Sequence, residues 1–295
     1  METKLNVVVL SHTPEFEQNI VRGAKLCYSS ADIEELRDKV TPEEAERFLN
    51  MILGLGHGSV LEHSCITFGI EGVSRALTHQ LVRHRLASYS QKSQRYVKEG
   101  QFSYVVPKEI AKNEYAYNEY VDLMERIQAS YDTITEELLT DYILEVVEKD
   151  EEHPYHAYIA EHHKNDTVLS LCEVIDGFKA VDKRTYSKLE KIAIENARYV
   201  LPNACETKIQ VTMNVRALFN FFKERLCDRA QEEIRDLAFE MWKACMEISP
   251  TIFKHAVPTC VNGKCKEGAY TCGKMLKYKE KHGAVIDQYV GVKHE

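Results

Sequence analysis

Thirteen residues constrain this chain more than any others: Arg83-His84-Arg85-Leu86-Ala87-Ser88-Tyr89-Ser90-Gln91-Lys92-Ser93-Gln94-Arg95. They hold three arginines, a lysine, a histidine and three serines in a protein whose formal net charge is −8. That much fixed positive charge in one segment of an acidic protein has to meet either water or a bound anion. Arginine offers a planar fork of donors that matches phosphate or carboxylate at two points, and serine hydroxyls can complete the shell. A solvated basic face beside a polar loop is the competing reading. The density of donors, and the apolar helix that leads into the segment, favour an anion site.

At 295 residues the chain can bury a full core. With 44% hydrophobic and 28% charged residues it has the composition of a soluble globular protein. No apolar run approaches a membrane span. Met1-Glu2-Thr3-Lys4-Leu5 passes directly into Asn6-Val7-Val8-Val9-Leu10 with no signal-peptide pattern, which predicts a buried strand and a cytoplasmic protein. The nine cysteines include Cys27, Cys65, Cys172, Cys205, Cys227 and Cys245 scattered through apolar patterns, and predict free thiols rather than a disulfide framework. The acidic balance argues against duplex DNA and anionic membranes as partners.

Along the chain, the strand at 5–10 precedes a helical pattern from Pro14 to about Tyr28. Thr41-Pro42-Glu43-Glu44 is a capping box with proline at the first helical position, opening a helix that ends at Leu55 with Gly56 as its left-handed stop. A polar turn, 56–63, carries His57 and His63 and leads to a strand around Cys65–Ile70. Val73 to Arg85 reads as a helix, the serine-rich run after it as a loop. Tyr96–Val97 and Phe102–Val106 read as extended. Helical patterns follow from Lys108 to about Val147 and from Tyr186 to Leu201. The acidic, histidine-containing stretch 145–165 between them reads as a solvated surface excursion. Thr207–Met213 alternates as a strand, and Asn214 is placed to cap a helix to Leu226. Another helix spans Arg229–Ile248. Nothing forces two domains: residues 1–250 read as one, followed by a Cys- and Lys-rich tail, 251–295.

Several constellations could carry chemistry. Arg216 and Asn220, four apart, share a helix face, while Arg225 lies half a turn round from Arg216, so that helix could touch two ligands. A surface arginine, a cap and an ordinary ion pair would explain the same residues. Arg198 could be a helix C-terminal dipole partner. His57 and His63 lack the spacing of a helical zinc site and fit structural loop histidines better. In the tail, Cys260, Cys265 and Cys272 could be metal ligands with Cys245, His255 or His282, but without a Cys-x-x-Cys knuckle free thiols are the simpler reading. No phosphate loop or dinucleotide fingerprint is present, so any nucleotide must be held by side chains.

Taken together, these segments resemble the flavin-dependent thymidylate synthases, whose signature is Arg-His-Arg, seven residues, then Ser: here Arg83-His84-Arg85 … Ser93. Gln80, Arg95-Tyr96, the His57–His63 loop, Ala197-Arg198-Tyr199-Val200-Leu201-Pro202 and Asn214-x-Arg216-x3-Asn220-x4-Arg225 extend the likeness over most of the chain. The resemblance implies an α+β fold with a mixed or antiparallel sheet flanked by helices, and a homotetramer whose active sites draw on several subunits. It implies reductive methylation of dUMP to dTMP, with methylenetetrahydrofolate as carbon donor and NADPH-reduced FAD as hydride source. By the resemblance Ser59, Arg83, His84, Arg85, Gln91, Asn214, Arg216 and Asn220 would hold FAD. Gln80, Arg83, Gln91, Lys92, Ser93, Gln94, Arg95, Arg198 and Arg225 would hold dUMP, and His57 would lie near flavin and folate. Arg225 would serve catalysis by stabilising an N3-deprotonated uracil. No cysteine or serine nucleophile is implied, and Ser93 is a nucleotide ligand.

Two positions depart from the family pattern: Gln91 where many members carry Glu, and Arg229 where His is common. The acidic insertion, about 142–184, and the tail exceed the minimal core. Two other functions fit the same residues. One is a nucleotide- or RNA-binding module using Tyr89 and Tyr96 for stacking; the other keeps the flavin but has a different reductive role.

Overall fold

The computed structural model describes residues 1–95, 100–163 and 168–290. The chain divides into two compact units, one of Met1–Thr3 with Lys92–Glu206, the other of Lys4–Gln91 with Thr207 onward. The expected extended pair Tyr96–Val97 lies outside the described residues.

The second unit is built on a four-stranded sheet, β1 (Asn6–His12), β2 (Cys65–Ser74), β3 (Ala87–Gln91) and β4 (Glu206–Asn214), in the order β1-β2-β4-β3. β1 and β2 pair antiparallel, as do β3 and β4. Thr207, Ile209, Val211 and Met213 point inward from β4, and Ile66, Phe68 and Ile70 do the same from β2. This is the period of two expected of strands with one buried face. The Thr67 and Thr212 hydroxyls meet at 2.9 Å across the central strands.

β3 corrects the sequence reading, which made the serine-rich run a loop. Ala87, Tyr89 and Gln91 are half-buried while Ser88 and Ser90 face out, so the serines sit on the open face of an edge strand. The expected helix from Val73 to Arg85 is also shorter. Val73 and Ser74 end β2, and the helix spans Arg75–Leu81. Ser74 caps it by accepting from the Leu77 N–H at 3.0 Å and donates its own hydroxyl to Glu233 at 2.6 Å. Arg83, His84 and Arg85 therefore stand on the turn between helix and strand.

The helix Pro42–Leu55 has the predicted bounds, with Thr41 accepting from Glu44 N–H and Gly56 at φ 73°. A short helix at Ile33–Lys39, capped by Asp32, was not foreseen. The amphipathic helices Val215–Arg225 and Glu232–Ile248 cover the sheet with Leu218, Phe221, Phe222, Leu237, Met241 and Trp242, all fully buried. Trp242 donates its indole N–H to the Phe253 carbonyl at 2.9 Å, so its one polar atom is satisfied inside the core. Met275–Val290 is a helix, and its Tyr278 hydroxyl donates to Asp228 at 3.0 Å.

The first unit is helical. A 36-residue helix, Glu114–Lys149, carries Pro154–His162, Leu171–Val181 and Lys183–Ala197. The stretch read as a solvated excursion is largely structured. Tyr155 packs with Leu139, Ile143, Val147, Val174 and Phe178 in a cluster of its own. Its acidic residues occupy the outer faces, which is what hid the apolar spacing.

Gly72 tests this account of the sheet. At φ 71°, a Cβ added to it would fall 1.8 Å from the Lys4 carbonyl oxygen. Gly72→Ala should cost at least ~2 kcal/mol in urea unfolding; a wild-type midpoint would contradict the close approach of β2 to the chain entering β1.

Candidate active site

The helix Val215–Arg225 places the downstream donors. Val215, Leu218, Phe221 and Phe222 are fully buried, so Arg216, Phe219, Asn220 and Lys223, spaced by three and four, share the opposite stripe. That stripe lines a cavity of about 440 Å³ together with His57, Gly58, Leu61, His255 and Val257. The wall is cationic at Arg216 and Lys223 and apolar at Leu61, Phe219 and Val257. Arg216 pairs with Glu62 at 2.5 Å. A second, more apolar cavity of about 620 Å³ lies on the other side of His57, bounded by Ser59, Val60, Tyr28, Phe48, Met51 and Leu55. Asn214 is spent largely as the helix cap, its side-chain oxygen accepting from Ala217 N–H at 2.8 Å.

Arg225, half a turn round, faces elsewhere. Its Nε donates to His84 Nε2 at 3.0 Å. The His84 ring stands edge-on to Phe221, with centroids 5.0 Å apart. Burial, then the neighbouring Arg225 cation, hold that imidazole below its usual pKa, with Glu224 opposing. Arg83 and Arg85 flank it as exposed cations. Tyr89 ties this turn down: its hydroxyl lies 2.8 Å from the His84 carbonyl and 2.9 Å from that of Leu81. Burial pushes that phenol to about 12. Tyr89 is therefore a structural tether rather than a stacking platform. The Gln80 amide donates to Gln231.

Gln91 has a definite local role. Its amide nitrogen donates to the hydroxyls of Thr78 at 3.1 Å and Thr207 at 3.2 Å. Thr78 donates its own proton to the Arg75 carbonyl, so it can only accept from position 91. An amide suits that place and a carboxylate does not.

In the first unit, Arg95 and Arg198 come together on one helix end. Arg95 Nε pairs with Glu195 at 2.7 Å, and Arg198 Nε donates to the Glu195 carbonyl at 3.2 Å. Ser93 Oγ accepts from Arg95 N–H, and Gln94 reaches the Cys205 sulfur at 3.4 Å. Lys92 opens the same segment, half-buried.

The other candidates resolve individually. His63 packs its ring where a Cβ on Gly23 would stand 2.7 Å away, a structural contact that needs glycine. Arg229 donates to the Tyr270 carbonyl at 3.0 Å and faces Glu267 at 3.6 Å, so this departure serves the C-terminal segment. Cys245 is fully buried, and His282 is wedged against Trp242 and Tyr278. Burial, then the neighbouring Cys227 and Cys265, push the Cys260 thiol up. Among the described residues no group of three or more His, Cys, Asp or Glu side chains is arranged to hold a metal ion. No helix among them is long and apolar enough to cross a membrane. Lys223, Phe219 and Val257 go unremarked in the sequence, and His255 is weighed there only as a metal ligand. The first two were findable as the third and seventh residues after Arg216.

This arrangement has relatives. The sequence profile of the family described as thymidylate synthase complementing protein matches residues 8–251. A flavin-dependent thymidylate synthase of Clostridium tetani is 44% identical over 94% of this chain and 96% of its own. One from Geobacter sulfurreducens is 40% identical over 93% and 97%. A solved UMP/dUMP methylase, PolB from Streptomyces cacaoi, bound with 5-Br dUMP, superposes with a TM-score of 0.59 at 17% identity, over 86% of this chain and 96% of that one. The α+β fold is thus a known one. The chain belongs to the flavin-dependent thymidylate synthase, or thymidylate synthase complementing, family of enzymes.

Gln91→Glu tests the hydroxyl network. It should lower stability by ~1–2 kcal/mol in chemical denaturation. An unchanged or raised midpoint would mean the two threonine contacts do not form.

Proposed function

We propose that this chain converts dUMP to dTMP by reductive methylation, with methylenetetrahydrofolate as carbon donor, NADPH as reductant and FAD as the bound cofactor. Membership of the family supports the reaction class. The observation that carries the site is the two-sided helix Val215–Arg225, one stripe turned to a cation-walled cavity and its last arginine turned to the Arg83–Arg85 turn.

The residues present fit a flavin dinucleotide. The smaller cavity pairs Arg216 and Lys223, suited to a pyrophosphate, with the apolar surface of Leu61, Phe219 and Val257, suited to a ring system. FAD would be held by Arg216, Asn220 and Ser59, with Arg83, His84 and Arg85, the free amide of Asn214 and the carbonyl of Gln91, whose nitrogen is committed. His57, which borders both cavities, would sit between flavin and folate. When bound and reduced, the cofactor supplies the hydride.

The nucleotide falls to Gln80, Arg83, Gln91, Lys92, Ser93, Gln94, Arg95, Arg198 and Arg225. Arg95 and Arg198, gathered at Glu195, are suited to a dianionic phosphate, with the Ser93 hydroxyl as a further donor. Arg225 carries the catalytic burden. A fixed cation beside the uracil lowers the N3 pKa and stabilises the anion whose C5 attacks the one-carbon unit. The balance is dUMP, methylenetetrahydrofolate, NADPH and a proton giving dTMP, tetrahydrofolate and NADP⁺. No protein nucleophile is required, so Ser93 binds rather than attacks. A cytoplasmic homotetramer whose subunits share each site completes the proposal.

The test is turnover. Purified protein should take up FAD and oxidise NADPH in the presence of dUMP and methylenetetrahydrofolate, forming dTMP. Failure to bind FAD or to form dTMP would overturn the reading. Ser93→Ala should raise KM for dUMP about tenfold while leaving measurable kcat; complete loss with unchanged dUMP affinity would make Ser93 a nucleophile instead.

A further inference from the structure

We propose that His84 is the positioning residue for Arg225: its neutral imidazole accepts the Arg225 Nε proton and fixes the plane of the guanidinium. The contact stands on geometry, and the identity of the anion that Arg225 meets rests on the functional reading above.

The Nε–Nε2 separation is 3.0 Å. Guanidinium can only donate, so His84 Nε2 must present a lone pair and the ring proton must sit on Nδ1. One donation from Nε leaves the four terminal N–H bonds of Arg225 for a ligand, the edge that grips two oxygens at once.

His84 is itself well held. Phe221 stands against its ring, Tyr89 bonds its carbonyl, and its backbone N–H donates to Leu81 at 3.1 Å. Tyr89 belongs to β3, whose Gln91 end is anchored on Thr78 and Thr207. The edge strand, the turn and the helix end thus converge on a single nitrogen lone pair.

Protonating His84 removes the contact. Nε2 then carries a hydrogen, and two cationic donors face each other across 3.0 Å. The groups around the ring set where this happens. Arg225 and Glu224 face it from the helix, Tyr89 from β3, and Arg83 and Arg85 flank it on its own turn. Burial and the Arg225 cation outweigh Glu224 and hold the imidazole below its usual pKa. A ligand role for His84 alone predicts no such link. The coupling makes the orientation of Arg225 a function of pH.

Imidazole nitrogen NMR and kinetics on the full protein test it together. The unmutated protein should show His84 as the Nδ1–H tautomer, with a midpoint that rises in Arg225→Gln because the opposing cation is gone. An Nε2–H tautomer, or a midpoint that does not move, overturns the contact. In turnover, kcat/KM for dUMP should fall about tenfold per pH unit below the His84 midpoint. His84→Gln, which keeps an uncharged acceptor, should lose that acid limb and stay within about tenfold of the parent at neutral pH. His84→Phe should lose at least about tenfold in kcat/KM for dUMP at every pH. An acid limb that persists in His84→Gln overturns the positioning role. Absence of dTMP formation by the unmutated protein contradicts the functional reading alone, and the nitrogen spectrum still decides the His84 assignment.

Discussion

Burial of one helix face is the constraint on which the rest of the site depends. Val215, Leu218, Phe221 and Phe222 are withdrawn completely from solvent in the core beneath the sheet. At ~1.5–3 kcal/mol for each such side chain, no surface interaction can rotate that helix by a residue. Its polar positions are therefore aimed by its apolar ones. Arg216, Asn220 and Lys223 are presented to one cavity, and Arg225, half a turn on, is delivered to the turn that carries Arg83, His84 and Arg85. Two sets of donors come from one element because its hydrophobic stripe leaves both flanks free.

The arginines proposed to meet ligands are held in two different ways, each within its own unit. Arg216 and Arg95 rest on Glu62 and Glu195, in pairs whose members are all roughly half exposed. Such pairs contribute ~0–1 kcal/mol, so a phosphate can displace the carboxylate at little cost. They keep the arginines extended and ready. Arg225 instead leans on an uncharged imidazole, which directs it without neutralising it. A chain of net charge −8 can in this way direct Arg225 with an uncharged partner rather than a carboxylate.

Much of this was legible in the sequence. The N-cap at Thr41, the alternation of 207–213 and the cap at Asn214 all specify local structure through hydrogen bonds and periodicity that tertiary context has no reason to override. The face shared by Arg216 and Asn220, and the opposed Arg225, followed from helical geometry alone. β3 did not, because its alternation of Ala87, Tyr89 and Gln91 with outward serines was taken for a helix-breaking loop. The core of residues 139–193 was masked by acidic residues on its outer faces. In the sequence Gln91 reads only as a departure from Glu; Thr78, thirteen residues away, and Thr207, on a distant strand, give it its donor role. No spacing rule connects residues that meet only after folding.

Under the proposed reading the helix Val215–Arg225 serves two ligands from two sides. Equilibrium binding of FAD and of dUMP to Arg216→Ala and to Arg225→Ala, followed by flavin absorbance and by nucleotide calorimetry, tests that most directly. Arg216→Ala should weaken FAD at least about tenfold and leave dUMP affinity within about threefold of the parent, with Arg225→Ala doing the reverse. Both variants losing the same ligand to the same degree would mean that the two arginines face one site, and would contradict the account.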